Sequence, residues 1–130
     1  MSASRPTPGS YWVEPGRLLA GAYPGDRTAF QQAGVTAFLD LTAGEYEIPD
    51  RACPSRETMT RILDRIDELL DAGEVVYVHC LGGIGRTGTV VGCWLVRHGM
   101  SGDAALATVE RLRGAPPETP EQRRLVRDWR

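Results

Sequence analysis

Seven residues near the middle of the chain, Cys80-Leu81-Gly82-Gly83-Ile84-Gly85-Arg86, have the types and spacing for phosphoryl chemistry. The apolar run Val75-Val76-Tyr77-Val78-His79 precedes them, and Thr87-Gly88 with a second apolar run follows. A strand that enters a glycine-rich turn and leaves as a helix points successive backbone N–H groups inward, forming an anion nest. The helix adds its positive N-terminal end. Gly82, Gly83, Gly85 and Gly88 allow so tight a curl. Cys80 stands at the lip of this cradle, where N–H dipoles and a guanidinium favour thiolate over thiol. A thiolate so placed attacks phosphorus in line and carries the phosphoryl group as an intermediate. Arg86 offers a planar fork that pairs two phosphoryl oxygens. The five residues between them let the loop encircle one phosphate and return Arg86 beside Cys80. Leu81 to Arg86 are therefore the expected phosphate-binding residues. Thr87 is expected to donate its hydroxyl to the thiolate. His79 is expected to fix the loop from behind through hydrogen bonds. The blander readings are a core cysteine in a plain turn and a phosphate binder without turnover. A core cysteine requires neither four glycines nor an arginine at this spacing.

The elements that must position this loop alternate strand with helix. Tyr11–Val13 and Arg17–Ala20 read as short strands about the Glu14-Pro15-Gly16 turn. Arg27–Ala33 reads as a short helix stopped by Gly34, and Val35–Leu41 as a buried strand. Residues 42–54 read as a loop. Ser55 caps a helix to about Ala72, with Met59, Ile62, Leu63, Ile66, Leu69 and Leu70 on one apolar face. Glu74–His79 is the strand before the loop and Thr87–His98 the helix after it. Ser101 caps a further helix to about Arg113, and Thr119-Pro120 opens the last one. The pattern predicts an α/β domain around a central, mostly parallel β-sheet flanked by helices. Residues 1–10 are expected to be disordered, and residues 11–130 to form one domain.

Composition narrows the function classes. The 130 residues suit one core, and 42% hydrophobic with 25% charged residues reads as soluble and globular. A formal net charge of −2 gives no basic excess, so no nucleic-acid partner is expected. All fifteen basic residues are Arg, which reads as compositional bias. Three cysteines, Cys53, Cys80 and Cys93, make no even disulfide framework. With no signal peptide and no membrane span in the sequence, a reducing cytoplasmic location is expected. No metal and no cofactor are expected.

His79-Cys80-(five residues)-Arg86-Thr87-Gly88 resembles the signature of the cysteine-based protein-tyrosine and dual-specificity phosphatase superfamily. Gly82-Gly83-x-Gly85-Arg86 is most similar to the kinase-associated phosphatase group. Pro15-Gly16-Arg17-Leu18, Phe38-Leu39-Asp40-Leu41 and Thr119-Pro120-Glu121-Gln122 extend a weaker likeness over most of the chain. The resemblance implies a general acid from an Asp on an upstream loop. Asp50, in Ile48-Pro49-Asp50, matches best, with Glu45 or Glu47 as substitutes. It implies a Gln that orients the hydrolytic water, here Gln122, although Thr119-x-x-Gln122 is also a capping box. Only nine residues separate Asp40 from Asp50, too few for the family's extra strand, so a smaller sheet is expected. Cys53 is a candidate redox partner of Cys80, and Cys93 a core residue. The implied activity is hydrolysis of phosphotyrosine, with phosphoserine and phosphothreonine also open. The implied partner is a phosphorylated protein or peptide, met by a monomer without membrane attachment. Ile84 gives the loop an apolar wall, and the five residues inside the loop are uncharged, unlike those of many phosphoinositide-directed relatives. The alternatives are a phosphoinositide or RNA 5′ phosphatase and a non-catalytic phosphopeptide-binding module. Arsenate reduction and sulfur transfer fit the Thr-Gly after Arg86 less well.

Overall fold

Period-2 and period-3.6 segments alternate along the chain, and they assemble as a four-stranded sheet packed with helices. The computed structural model describes residues 4–130. Strand β1 (Ser10–Glu14) turns back antiparallel into β2 (Leu18–Gly21). Helix α1 (Thr28–Gln32), strand β3 (Ala37–Asp40) and one 3-10 turn (Gly44–Tyr46) follow. Next come α2 (Arg56–Asp71), β4 (Val76–His79), α3 (Gly85–Arg97), α4 (Gly102–Arg113) and α5 (Pro120–Asp128). The strand order is β1-β2-β4-β3, with β4 parallel to both neighbours. The sheet is thus mixed and mostly parallel, the α/β architecture that the sequence pattern implies.

Alternation along β4 sorts its side chains to two cores. Val76 and Val78 join a large cluster with Met59, Ile62 and Ile66 of α2, Val90 and Trp94 of α3, and Val109 of α4. Tyr77 points the other way, into a smaller cluster with Trp12, Leu19, Phe30 and Val35. Ser55 caps α2 by accepting from the Thr58 N–H, and Ser101 caps α4 by accepting from that of Ala104. The expected apolar face of α2 is buried except for Leu69, which is half-buried.

Most element boundaries differ by one or two residues from the sequence reading, and three of the differences have a local cause. Helix α3 starts at Gly85, two residues before the expected Thr87, because the loop's last residues already curl helically. Strand β3 starts at Ala37, because Val35 still bonds back to the Phe30 carbonyl in the turn after α1. At the N-terminus, residues 1–3 of the segment expected to be disordered lie outside the described residues. Beyond them Ser10 donates its N–H to the Thr7 carbonyl and pairs with Gly21 in β1.

The short link between Asp40 and Asp50 has a simple geometry. Ile48 donates its N–H to the Leu41 carbonyl at 2.9 Å, so the chain returns at once to the end of β3. Ile48 is fully buried and anchors that return. Strand β3 is left as the outer strand of the sheet.

Helices α2 and α3 are tied by a polar cluster at the sheet's periphery. Trp94 Nε1 donates to Asp67 at 2.9 Å, and Arg97 and His98 lie 3.2 and 2.9 Å from the same carboxylate. Burial alone pushes Asp67 up, but these donors outweigh it and hold the carboxyl below its ordinary 3.8. A depressed folded value stabilises the fold above the unfolded value, and that stability is lost as pH falls through the folded one. Asp67→Asn is expected to cost about 1–2 kcal/mol at pH 6. The gap to wild type should close below about pH 4. Urea midpoints between pH 6 and 2 check this, and a gap independent of pH contradicts it.

Candidate active site

Strands β2, β3 and β4 run parallel, so the chain leaves all three at one edge of the sheet, where ligands bind in open α/β sheets. Registers Gly21↔His79 and Asp40↔His79 put the residues after each strand side by side. Cys80 follows β4 directly and is 2% exposed. Its N–H reaches the Gly21 carbonyl at 3.4 Å, and Tyr23 donates its N–H to the Leu81 carbonyl at 3.0 Å. Gly83 has φ +74, and a Cβ there would stand 2.5 Å from both the Ala22 nitrogen and the Gly21 carbonyl carbon. Only glycine lets the loop press this closely on the end of β2.

The Gly83 N–H donates to the Cys80 sulfur at 3.2 Å. This is the inward dipole that the glycine pattern implies. Arg86 lies in the first turn of α3 and is 7% exposed. Its Nη1 donates to the Ile48 carbonyl at 3.1 Å, and its Nη2 lies 3.6 Å from Asp50 Oδ1. The direct return at Ile48 thus delivers Asp50 to the loop without an intervening strand, as the short spacing from Asp40 implies. The Asp50 side chain is 70% exposed. Glu45 instead lies 3.5 Å from Arg61, beside the outer edge of β3. Glu47 is exposed.

Two supporting residues make contacts that the sequence does not announce. Thr87 directs its hydroxyl to the Gly21 carbonyl at 3.4 Å, so it ties the loop to β2 and is spent there. His79 is buried; Asp40 lies 3.9 Å from its Nδ1, and the Cys80 backbone is close enough to favour its charged form, although neither ring nitrogen has a partner at full hydrogen-bond geometry. It also holds the loop by aromatic packing, stacked on Tyr77 at 5.3 Å and edge-on to Tyr23 at 5.5 Å. Burial pushes the imidazole below its usual range against the pull of Asp40, so the ring is neutral at pH 7. Burial likewise opposes ionisation of Asp40, but the Thr42 hydroxyl and N–H overcome it and hold that carboxyl low.

Gln122 is fully buried, and most of its amide is committed. Its Oε1 accepts the Thr119 N–H at 3.0 Å in a complete capping box, and its Nε2 donates to the Ala52 carbonyl at 3.3 Å. It therefore links α5 to the segment that carries Asp50. It also touches the loop, since a Cβ on Gly85 would meet Gln122 Oε1 at 3.1 Å. Cys53 lines a small cleft against α5 with Glu121 and Arg124. Burial and Glu121 raise its thiol. Burial, with Cys53 adding to it, pushes the Cys93 thiol up to about 12, which marks Cys93 as a core residue.

Sequence reasoning missed three residues here. Glu118 pairs with Arg51 at 3.2 Å, and its Oε1 would meet a Gly85 Cβ at 2.6 Å. Arg113, at the end of α4, donates to the Gly82 carbonyl at 3.2 Å. Tyr23 is 53% exposed beside Leu81, itself 67% exposed, and the two form an apolar rim. Spacing gives no signal for Arg113 or Glu118, because both arrive through helix packing. Among the described residues no group of three or more His, Cys, Asp or Glu is placed to hold a metal ion, and no helix is long and apolar enough to cross a membrane.

The chain resembles known proteins over most of its length. It is 26% identical over 147 residues to mouse dual specificity protein phosphatase CDC14B, covering 88% of this chain and 30% of that protein. It is 35% identical over 134 residues to the Arabidopsis thaliana phosphatidylglycerophosphate phosphatase PTPMT2, covering 86% of this chain and 59% of the relative. It spans 16% to 42% of the length of the first curated relatives it matches. Among solved structures, Tk-PTP in its active form matches with TM-score 0.78 and 29% identity over 93% of this chain and 95% of that one. Kinase-associated phosphatase shares the fold, with TM-score 0.75 and 18% identity over 84% of this chain and 83% of that one. A family model described as Tc-R-P, the DSP-PTPase phosphatase of polymorphic toxin systems, matches residues 25–100. That match spans more than half of the chain, which belongs to this family and with it to the cysteine-based dual-specificity phosphatase superfamily.

Proposed function

We propose that the chain hydrolyses phosphate monoesters, phosphotyrosine foremost, through a phospho-cysteine on Cys80. The observation that carries this reading is the meeting, at 3.6 Å, of Arg86 from the Cys80 loop with Asp50 from the segment after β3. In the first step the Cys80 sulfur attacks phosphorus, an S–P bond forms and the ester P–O bond breaks. Asp50 gives its proton to the leaving oxygen. Arg86 and the inward N–H groups of Leu81 to Arg86 hold the charge that builds on the equatorial oxygens. In the second step water attacks phosphorus, its proton passes to Asp50, and the S–P bond breaks. Thr87 and His79 serve as supports of the loop in this scheme. Gln122 holds the segment after Asp50, and its remaining amide hydrogen faces a water-positioning role.

Asp50 is the carboxyl that lies against Arg86. A bound phosphate takes its place there, and the carboxyl, protonated from solvent before the attack, gives that proton to the leaving oxygen. Tyr23, Leu81 and Ile84 give an aromatic ester an apolar rim. The same reading treats residues 11–130 as one phosphatase domain, working as a cytoplasmic monomer on phosphorylated proteins or peptides. A second reading, a phosphorylated lipid headgroup as substrate, is favoured by the 35% identity to the phosphatidylglycerophosphate phosphatase.

Two measurements test the scheme. Cys80→Ser is expected to lose essentially all turnover of p-nitrophenyl phosphate in chelator, at least about 10⁴-fold in kcat. It should keep its affinity for a phosphotyrosine peptide. Binding by wild type without any turnover would instead indicate a phosphopeptide-binding module, and faster turnover of a phosphoinositide or phosphatidylglycerophosphate would favour the lipid reading. Asp50→Ala is expected to slow a substrate with a poor leaving group by about 10²–10⁴-fold and to spare one with a good leaving group. An equal effect on both, or none on either, would remove Asp50 as the acid and bring Glu45 and Glu47 forward.

A further inference from the structure

Behind the rim of the phosphate loop lies a second basic feature that the catalytic scheme does not use. A cleft of about 420 Å³ opens between the N-terminal segment with β1 and the C-terminal end of α4. Arg5, Arg111 and Arg113 line it, together with Tyr11 and Trp12. Among the described residues none of the three arginines forms an ion pair with a carboxylate. Beside the cleft the Arg113 Nε–H and the Tyr11 hydroxyl are buried without a partner, and the hydroxyl feels the charges of both Cys80 and Arg113.

Cations in the last turn of α4 offset the helix's negative end, and that accounts for Arg111 and Arg113 in part. It does not account for Arg5, which comes from a separate segment to the same cleft. Three arginines lining one cleft, none of them paired with a carboxylate, suit a compact oxyanion, above all a phosphoryl group. We propose that this cleft is a second oxyanion site, binding a phosphoryl group on Arg5, Arg111 and Arg113. Arg113 also donates to the Gly82 carbonyl at 3.2 Å, so one side chain touches both this cleft and the catalytic loop. Arg113 is thereby a positioning residue. Anion binding in the cleft does not depend on the phosphatase reading, whereas its effect on turnover does. The phosphoryl group comes either from free phosphate or from a second phosphate on the substrate.

Trp12 supplies a local reporter, because its indole N–H donates to the Ser4 carbonyl next to Arg5. Inorganic phosphate is titrated into the full chain at constant ionic strength, and the Trp12 indole N–H and the Gly83 amide are followed by NMR. The same titration is run on Arg5→Ala/Arg111→Ala, whose two sites are exposed and outside the catalytic loop. The expected result is a saturable Trp12 shift in wild type that weakens about tenfold or more in the variant. The Gly83 amide should respond alike in both proteins. An unsaturable Trp12 shift, or the same midpoint in both proteins, overturns the site. A kinetic arm compares a phosphotyrosine peptide with and without a second phosphate. A KM about tenfold lower for the doubly phosphorylated peptide, lost in the variant, assigns the group to the substrate. Equal KM values with a saturable Trp12 shift assign it to free phosphate. Failure of the phosphatase reading shows separately, as no wild-type turnover of p-nitrophenyl phosphate.

Discussion

A guanidinium buried at the base of an anion nest sets the terms for the rest of this molecule. Arg86 is 7% exposed, and a cation taken out of water is costly unless it is paired and hydrogen-bonded. Substrate-free, it is satisfied by the Ile48 carbonyl and faced by Asp50. Both partners come from the segment that turns straight back at the end of β3. The clamp and the acid loop are therefore one electrostatic unit. In the proposed mechanism a bound phosphate takes the place of Asp50 at Arg86, and the protonated carboxyl turns to the leaving oxygen.

The fold supplies the rigidity this unit needs. The loop is pinned to β2 by three contacts, two of them on the Gly21 carbonyl, from the Cys80 N–H and the Thr87 hydroxyl. The third is the close approach of Gly83 to Gly21 and Ala22. Tyr77 also reaches this edge, bonding its hydroxyl to the Ala22 carbonyl. Behind the loop, α3 is wedged among α2, α4 and α5, so the N-terminus that faces the anion cannot drift. Gln122 joins α5 to the Asp50 segment, and Arg51–Glu118 adds an exposed pair across the same gap.

Residues that act through local backbone geometry were legible in the sequence. Cys80, the glycines and Arg86 lie within one strand–turn–helix unit, where spacing alone determines which groups converge. Helix caps at Ser55, Ser101 and Thr119 were legible for the same reason. Roles that depend on which distant group arrives first were not. Thr87 was expected to serve the thiolate, but the Gly21 carbonyl, 66 residues away in the chain, takes its hydroxyl. His79 is expected to hold the loop through hydrogen bonds; its ring also packs on Tyr77 and Tyr23, contacts that spacing does not announce. Asp50 was placed by resemblance, and the return at Ile48 that makes it possible is a tertiary contact no spacing rule contains. Arg113 reaches the loop only through the packing of α4 against β1, so nothing near Cys80 announces it.

Trapping of the covalent intermediate tests the central claim most directly. The protein is mixed with excess phosphotyrosine peptide, quenched within one turnover, digested and read by mass spectrometry. A phosphoryl group on the peptide that contains Cys80, forming at the rate of the product burst, is the predicted result. Steady turnover with no burst and no phosphoryl group on Cys80, or with the group on another residue, would contradict it.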